Sequence, residues 1–181
     1  MLESSRERLT LDRIRTPLGQ ALLVTDTQYR LRALDWEDHA PRMQHLLRRH
    51  YGSSLSLDSG RAPQGIRQAL DAYFAGDLQP LDEIECRTGG TPFQRAVWTA
   101  LRTIRPGHTM SYGALAAALG VPKAVRAVGL ANGANPISVV VPCHRVIGAN
   151  GSLTGYGGGL ERKRWLLVHE GAAFTDPMAA S

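Results

Sequence analysis

Residues 137–141 form a short apolar run, rich in β-branched side chains, that ends at Pro142 and is followed at once by Cys143 and His144. The run predicts a buried strand, and proline ends it because proline cannot donate a hydrogen bond to a neighbouring strand. A nucleophile and a possible base would then lie at the end of that strand, because thiolate is the reactive form of cysteine and a nearby histidine can stabilise it. Taken alone, a cysteine in such a run is usually a small buried core residue.

Turn-forming residues flank this run on both sides, in the segments 132–136, 148–151 and 155–159. A core strand does not need so many of them, whereas a backbone that approaches a ligand closely does. The pattern therefore favours a reactive cysteine over a structural one.

The charge of the chain is unevenly distributed. Residues 92–171 hold nine Lys or Arg and two Asp or Glu, whereas residues 1–91 hold twelve and thirteen. This asymmetry favours a domain that faces a polyanion, although a merely basic surface would show the same composition.

The cysteine count and the hydropathy pattern exclude several classes of protein. Two cysteines without CxxC or paired-histidine spacing argue against a zinc module and against a disulfide framework. We therefore expect no metal, no cofactor and a reducing, cytoplasmic compartment. No apolar stretch is long enough to span a bilayer and the first residues lack a signal-peptide pattern, so we expect no membrane association.

The first half of the sequence predicts a small sheet with helices. Alternating or apolar segments predict strands within residues 7–14, 21–25 and 31–36. Further along, the pattern predicts helices over 41–51 and 63–74, a loop over 52–61, a strand over 81–86 and a linker over 87–91.

From Thr91 onwards the pattern predicts helices. Thr91 followed by Pro92 is typical of a helix start. The buried stripe of that helix is predicted at Phe93, Val97, Leu101 and Ile104. Two short helices follow over 111–119 and 122–131. A last helix is predicted over 160–170, with residues 162–164 outside and 165–167 in the core.

The two short helices, joined at Gly120, have the sequence pattern of a helix-turn-helix. Lys123 and Arg126 lie at the start of the second helix, and its body consists of small residues that can approach a sugar-phosphate wall closely. Such helix pairs also occur in ordinary helical proteins.

Taken in order, these motifs resemble those of one family, the O6-alkylguanine-DNA alkyltransferases, also called methylated-DNA–protein-cysteine methyltransferases. The sequence looks most similar to the bacterial constitutive form that stands alone. The motifs are Thr91-Pro92-Phe93-Gln94 with Val97-Trp98, Ser111-Tyr112-Gly113, Arg126-Ala127-Val128-Gly129, Ala131-Asn132-Gly133 with Asn135-Pro136, Pro142 to Val146, Gly155-Tyr156, and Lys163 to Glu170.

The resemblance implies an α+β fold of two domains. Residues 1–86 would form a ribonuclease-H-like domain with a small sheet and helices, and residues 87–91 a linker. Residues 92–171 would form a mainly helical, winged-helix-like domain with the helix-turn-helix, followed by a flexible tail over 172–181. In this family the second helix enters the minor groove, where small residues fit because the groove is narrow.

The resemblance also implies roles for single residues. Cys143 would accept the alkyl group. His144 would deprotonate the Cys143 thiol through a water, and Glu170 would orient His144. Asn135 would tie the recognition helix to the active-site turn, and Tyr112 would stabilise the leaving base beside its 3′ phosphate. Arg126 would fill the gap left by the flipped nucleotide. The wider DNA contact would include Ser111, Tyr112, Lys123, Ala127 and Gly129, and the base pocket would include Met110, Val146, Tyr156 and Gly157.

Two features depart from the family pattern. Some members have serine where this chain has Gly157, so only a backbone N–H can approach the guanine oxygen from that residue. Some relatives bind zinc in the first domain through cysteine and histidine. Cys86 alone cannot do so, which again predicts no metal.

The function implied is irreversible repair of O6-alkylguanine, and of O4-alkylthymine, in duplex DNA by base flipping and transfer to Cys143. Each molecule would react once, as a monomer without an obligate protein partner, in the cytoplasm.

Two other classes of protein remain open from the residues alone. One is a binder, either a lesion-binding relative or a transcription factor, and the other is a cysteine hydrolase. Taken singly, Tyr112, Arg126 and Glu170 could be a core aromatic, a phosphate clamp and a surface carboxylate.

Overall fold

The computed structural model describes residues 7–176, which divide into two compact units. The first unit ends at Gly90 and the second begins at Thr91. The first contains a mixed sheet with helices and the second is mainly helical, so the predicted α+β class is confirmed.

The first unit contains a four-stranded sheet in the order β3-β2-β1-β4. The strands are β1 (Arg8–Thr16), β2 (Gly19–Asp26), β3 (Leu31–Trp36) and β4 (Ser56–Ser59). Neighbours among β1, β2 and β3 are antiparallel, whereas β4 runs parallel to β1. Strand β4 lies where a loop was predicted. It is a short edge strand of polar residues around Leu57, so its sequence lacks the alternation that indicates a strand.

Helices α1 (Ala40–Tyr51) and α2 (Gln64–Phe74) confirm the two helices predicted for this unit. Met43 and Leu47 of α1 pack into a core that includes Leu9, Leu22 and Val24 of the sheet. The strand predicted over 81–86 is wrong. Pro80 begins a 3-10 helix that extends to Glu83, and only Cys86 forms an isolated bridge, with Leu31.

Within residues 91–176, the second unit has four α-helices and a pair of two-residue parallel strands. These elements are α3 (Pro92–Leu101), β5 (Met110–Ser111), α4 (Tyr112–Ala118), α5 (Val125–Gly133), β6 (Val146–Ile147) and α6 (Leu160–His169). Thr91 caps α3 as predicted, because its side chain accepts a hydrogen bond from the Gln94 backbone N–H. Helix α5 begins at Val125 rather than at Pro122, so Lys123 lies in the turn before it.

Two predictions about buried faces are wrong. Phe93, at the start of the stripe predicted to be buried on α3, is 36% exposed. Only the later turns of that helix, at Val97 and Leu101, are buried. Lys163 was predicted outside, but it is fully buried on the same face of α6 as Leu166 and Leu167. Backbone carbonyls satisfy its ammonium group, which allows a cation at a core position.

The run 137–141 is buried as predicted, but it is not a strand. Its backbone folds into successive turns, in which the Val140 N–H donates to Ser138 and the Val141 N–H to Ile137. Val139 has a φ of 71°, a left-handed conformation that valine rarely adopts. The run is therefore apolar because it fills the core and not because it pairs in a sheet.

Residues 172–176, the first part of the predicted flexible tail, are exposed or half-buried, but two of them are held by hydrogen bonds. Thr175 bridges to Ser152, and Asp176 accepts a hydrogen bond from Arg164 at 2.9 Å. Residues 177–181 lie outside the described part of the chain. Within residues 7–176, no helix is both long enough and apolar enough to cross a membrane.

Candidate active site

Cys143 opens a single turn of 3-10 helix, Cys143–Arg145, directly after the buried turns of 137–141. The cysteine is 5% exposed and has no disulfide partner. Its backbone N–H donates to the Val141 carbonyl at 2.8 Å, which fixes the bend at Pro142. The backbone that carries the sulfur is therefore fixed by a hydrogen bond, and the residue is almost completely buried.

His144 and Glu170 form a fully buried pair. The His144 Nε2 atom lies 2.8 Å from Glu170 Oε1, and both side chains are completely shielded from solvent. The other ring nitrogen, Nδ1, has no hydrogen-bond partner among the described residues. Since Nε2 donates to the carboxylate, Nδ1 carries a lone pair and can accept a proton.

Arg145 completes this cluster, although sequence reasoning gave it no role. Its Nε and Nη2 donate to the two oxygens of Glu170 at 2.9 and 2.7 Å, and its Nη1 donates to the Ile104 carbonyl at 2.6 Å. Glu170 is thus a buried hub and not a surface carboxylate. The signal in the sequence was the arginine directly after Cys143 and His144.

The electrostatics of the cluster favour an ionised carboxylate and a neutral imidazole. Burial would raise the pKa of Glu170, but the hydrogen bond from His144 and the charge and hydrogen bonds of Arg145 outweigh it and hold that pKa below its ordinary value. Burial lowers the pKa of His144, against the opposing effect of Glu170 and with the support of Arg145 and Lys163. A neutral His144 with an open lone pair can act as a general base.

Two asparagines tie helix α5 to the Cys143 turn. Asn135 is completely buried, and its Nδ2 donates to the Val141 carbonyl at 2.8 Å while its Oδ1 accepts from the Ile137 N–H at 2.9 Å. Asn132, in the last turn of α5, donates to the carbonyl of Cys143 itself at 3.4 Å. Sequence reasoning singled out Asn135 but gave no role to Asn132.

The start of helix α4 lies beside the Cys143 segment. In the β5–β6 pair, Met110 stands opposite Val146 and Ser111 opposite Ile147. Ser111 caps α4, because its Oγ accepts from the Ala114 N–H at 3.1 Å. A Cβ atom added at Gly129 of α5 would lie 3.7 Å from the Tyr112 ring, so the ring also lies against that helix.

Helix α5 presents an exposed face at its start. Arg126 and Ala127 are exposed, Gly129 is half-buried and Leu130 is 71% exposed. The Arg126 side chain forms no hydrogen bond or ion pair with any residue between 7 and 176. Lys123 is also exposed, just before the helix. The predicted DNA contacts on these elements are therefore accessible.

Tyr156 and Gly157 are half-buried in the segment between β6 and α6. Lys163 holds this segment, because its Nζ donates to the carbonyls of Val146 and Thr154 at 2.7 Å each. Burial lowers the pKa of Lys163 to about 8, and the nearby Cys143 opposes that decrease.

No cluster of three or more possible metal ligands occurs among residues 7–176.

Comparison with known families identifies both units. Residues 92–172 match the family described as 6-O-methylguanine DNA methyltransferase, DNA binding domain. Residues 12–87 match the ribonuclease-like domain of the same methyltransferase. The chain belongs to the 6-O-methylguanine DNA methyltransferase family.

Individual relatives align with this chain over most of their length. The methylated-DNA–protein-cysteine methyltransferase of Salmonella typhimurium is 58% identical over 165 residues, which cover 91% of this chain and 96% of the relative. The crystal structure of Mycobacterium tuberculosis OGT in complex with DNA matches with a TM-score of 0.74 at 42% identity, over 91% of this chain and 92% of that one. The O6-methylguanine-DNA methyltransferase of Pyrococcus kodakaraensis gives a TM-score of 0.62 at 26% identity, over 91% and 99%.

Proposed function

We propose that this chain repairs alkylated duplex DNA by moving the alkyl group from O6 of guanine, and from O4 of thymine, to the sulfur of Cys143. Its family makes it a methylated-DNA–protein-cysteine methyltransferase, a DNA-binding enzyme of DNA repair. The observation that carries the choice of Cys143 is its position directly before the buried His144–Glu170 pair. The only other cysteine, Cys86, lies in the first unit.

The proposed reaction is a displacement at the alkyl carbon. His144 Nδ1 accepts the thiol proton through a bridging water, and Glu170 stabilises the imidazolium that forms. The thiolate then forms the sulfur–carbon bond while the carbon–oxygen bond breaks, and the electron pair leaves with the base. The Tyr112 hydroxyl stabilises that charge, and the proton lost by Cys143 ends on the base. A thioether resists hydrolysis, so each molecule reacts once.

The base has to leave the stack before it can reach a sulfur that is almost completely buried. Flipping costs a few kcal/mol, less for a lesion that pairs poorly. We assign the compensation to Arg126, whose exposed side chain can enter the stack from the minor groove. Ala127 and Gly129 allow close approach there because their side chains are small. Ser111 and Lys123 complete the contact with the phosphates.

The flipped base would bind beside β5, β6 and the segment before α6. Met110 and Val146 would supply apolar walls, and Tyr156 an aromatic one. Gly157 would offer its backbone N–H to the guanine oxygen. Asn135 would hold the Cys143 turn in a fixed position relative to helix α5, because both the nitrogen and the oxygen of its side-chain amide form hydrogen bonds with the turn.

Duplex binding would depend mainly on phosphate contacts. The surplus of cations over residues 92–171 predicts affinity that falls steeply with added salt, because phosphate neutralisation releases counterions. We infer a monomer that needs no obligate protein partner and acts in the cytoplasm, where reducing conditions keep Cys143 a thiol. Salt-independent binding, or strong preference for one base sequence, would instead favour a transcription factor.

The decisive test is the intact mass of the protein after incubation with a duplex that contains one O6-methylguanine. We expect a gain of one methyl group per chain, located on Cys143 by peptide mapping. Cys143→Ser should gain nothing, and Cys86→Ser, the matched control, should react like the wild type. A gain on Cys86 would contradict the assignment. Turnover of many substrate molecules per chain would indicate a hydrolase, and binding without transfer a lesion binder.

A further inference from the structure

Thr154, in the segment between β6 and α6, forms a direct hydrogen bond with Tyr112. Its Oγ1 donates to the phenolic oxygen at 3.1 Å, across 42 residues of sequence. A phenol that accepts a hydrogen bond keeps its own O–H proton for another acceptor. Hydrogen bonds in a chain also polarise each other, so a phenol that accepts one becomes a better donor.

Lys163 fixes the backbone of Thr154 through hydrogen bonds to carbonyl groups. The Lys163 ammonium donates to the Thr154 carbonyl at 2.7 Å and to the Gly155 carbonyl at 3.4 Å. The same ammonium donates to the carbonyl of Val146, three residues after Cys143, at 2.7 Å. One buried cation therefore connects the segment that carries the nucleophile with the segment that carries Thr154.

We propose that Thr154 is a positioning residue for Tyr112 in alkyl transfer, and that its hydroxyl turns the phenolic proton toward the departing base. This inference rests on the proposed function, in which negative charge develops on the base as the carbon–oxygen bond breaks. Tyr112 donates a hydrogen bond to that charge, and Thr154 donates to Tyr112. No bond to Thr154 forms or breaks, and the proton count of the reaction is unchanged.

The geometry favours positioning over a purely structural role. Thr154 is exposed, so its hydroxyl contributes little to the core, and Lys163 reaches its carbonyl and not its side chain. Removal of the hydroxyl should therefore leave the fold intact while the phenol loses its fixed direction. A hydrogen bond of ordinary strength predicts a rate loss of roughly fivefold to tenfold.

The test is the single-turnover rate of transfer from an O6-methylguanine duplex, normalised to the fraction of chains that react. We expect Thr154→Val to be roughly fivefold to tenfold slower with unchanged affinity for unmodified duplex, and Thr154→Ser to regain the wild-type rate. Thr103→Val is the matched control, because the exposed Thr103 hydroxyl also makes one hydrogen bond, to the Ala100 carbonyl. Its rate should not change.

Coupling to Tyr112 separates positioning from general damage. In a Tyr112→Phe background, Thr154→Val should cause no further loss, because the phenol that it orients is absent. An equal loss in both backgrounds, a Thr154→Ser variant as slow as Thr154→Val, or an unchanged rate in Thr154→Val would each overturn the proposal. Methylation of Cys143 in the wild type tests the proposed function separately, so the two can fail independently.

Discussion

Replacement of Glu170 by glutamine should destabilise the protein by about 3 kcal/mol, because it leaves a buried guanidinium without its counter-ion. Glu170 receives two hydrogen bonds from Arg145 and one from His144, all at 2.9 Å or less. Removal of one partner of a buried ion pair costs about 3 to 5 kcal/mol. Glutamine keeps the shape and one acceptor oxygen, which places the expected loss at the lower end.

The assay is equilibrium denaturation in urea of the unalkylated protein. Glu161→Gln is the matched control, because Glu161 lies exposed in the first turn of the same helix and should change the free energy of unfolding by less than about 0.5 kcal/mol. Arg145→Met should also destabilise. The double variant Glu170→Gln/Arg145→Met should lose less than the sum, because neither charge is then left unpaired.

The decrease in the free energy of unfolding caused by Glu170→Gln should depend on pH in a defined direction. The folded-state pKa of Glu170 lies below its ordinary value of 4.5, so its contribution is fully present above that value and is lost as pH falls through the folded pKa. The difference between wild type and Glu170→Gln should therefore shrink in acid. A loss below about 1 kcal/mol at neutral pH would refute the view that Glu170 is the hub of a buried charge cluster.

Three further outcomes are expected. Arg126→Ala should slow transfer from duplex DNA by about tenfold to a hundredfold, and transfer from free O6-methylguanine little, because only the duplex has to be opened; equal losses would contradict the intercalating role. Asn135→Ala should cost about 2 to 4 kcal/mol in thermal unfolding, since it strands buried backbone groups, whereas Asn150→Ala, at an exposed turn, should cost little. The free energy of unfolding should rise as pH increases from about 8 to 10.5, because the unfolded chain then holds the Lys163 proton that the folded chain has lost; Lys163→Met should lack this rise.

Much of the fold follows from local patterns. The first three strands and both helices of the first unit lie where alternation and helical spacing place them. Thr91 caps α3 because a threonine before a proline satisfies the free N–H groups of the first turn. In such segments local propensity and tertiary packing favour the same structure.

The remainder depends on partners far away in sequence. The run 137–141 has strand propensity, but the Asn135 side chain satisfies its backbone inside a turn. Lys163 was predicted at the surface because cations usually lie there, yet three backbone carbonyls that only the folded chain brings together hold it in the core. Arg145 contacts Glu170 and Thr154 contacts Tyr112, and no sequence spacing places these partners beside each other.

The turn conformation of residues 137–141 also bears on what happens when the protein unfolds. Ile137, Val139, Val140 and Val141 are all at most 4% exposed, and no charged residue lies among them. Short uncharged segments of high strand propensity are typical of sequences that stack into cross-β aggregates. In the native turn the segment offers no free edge to another chain, but an opened chain would present it as a strand. We therefore expect any chain in which the Asn135 bonds are broken to be prone to aggregation, with this segment at the centre of the aggregate.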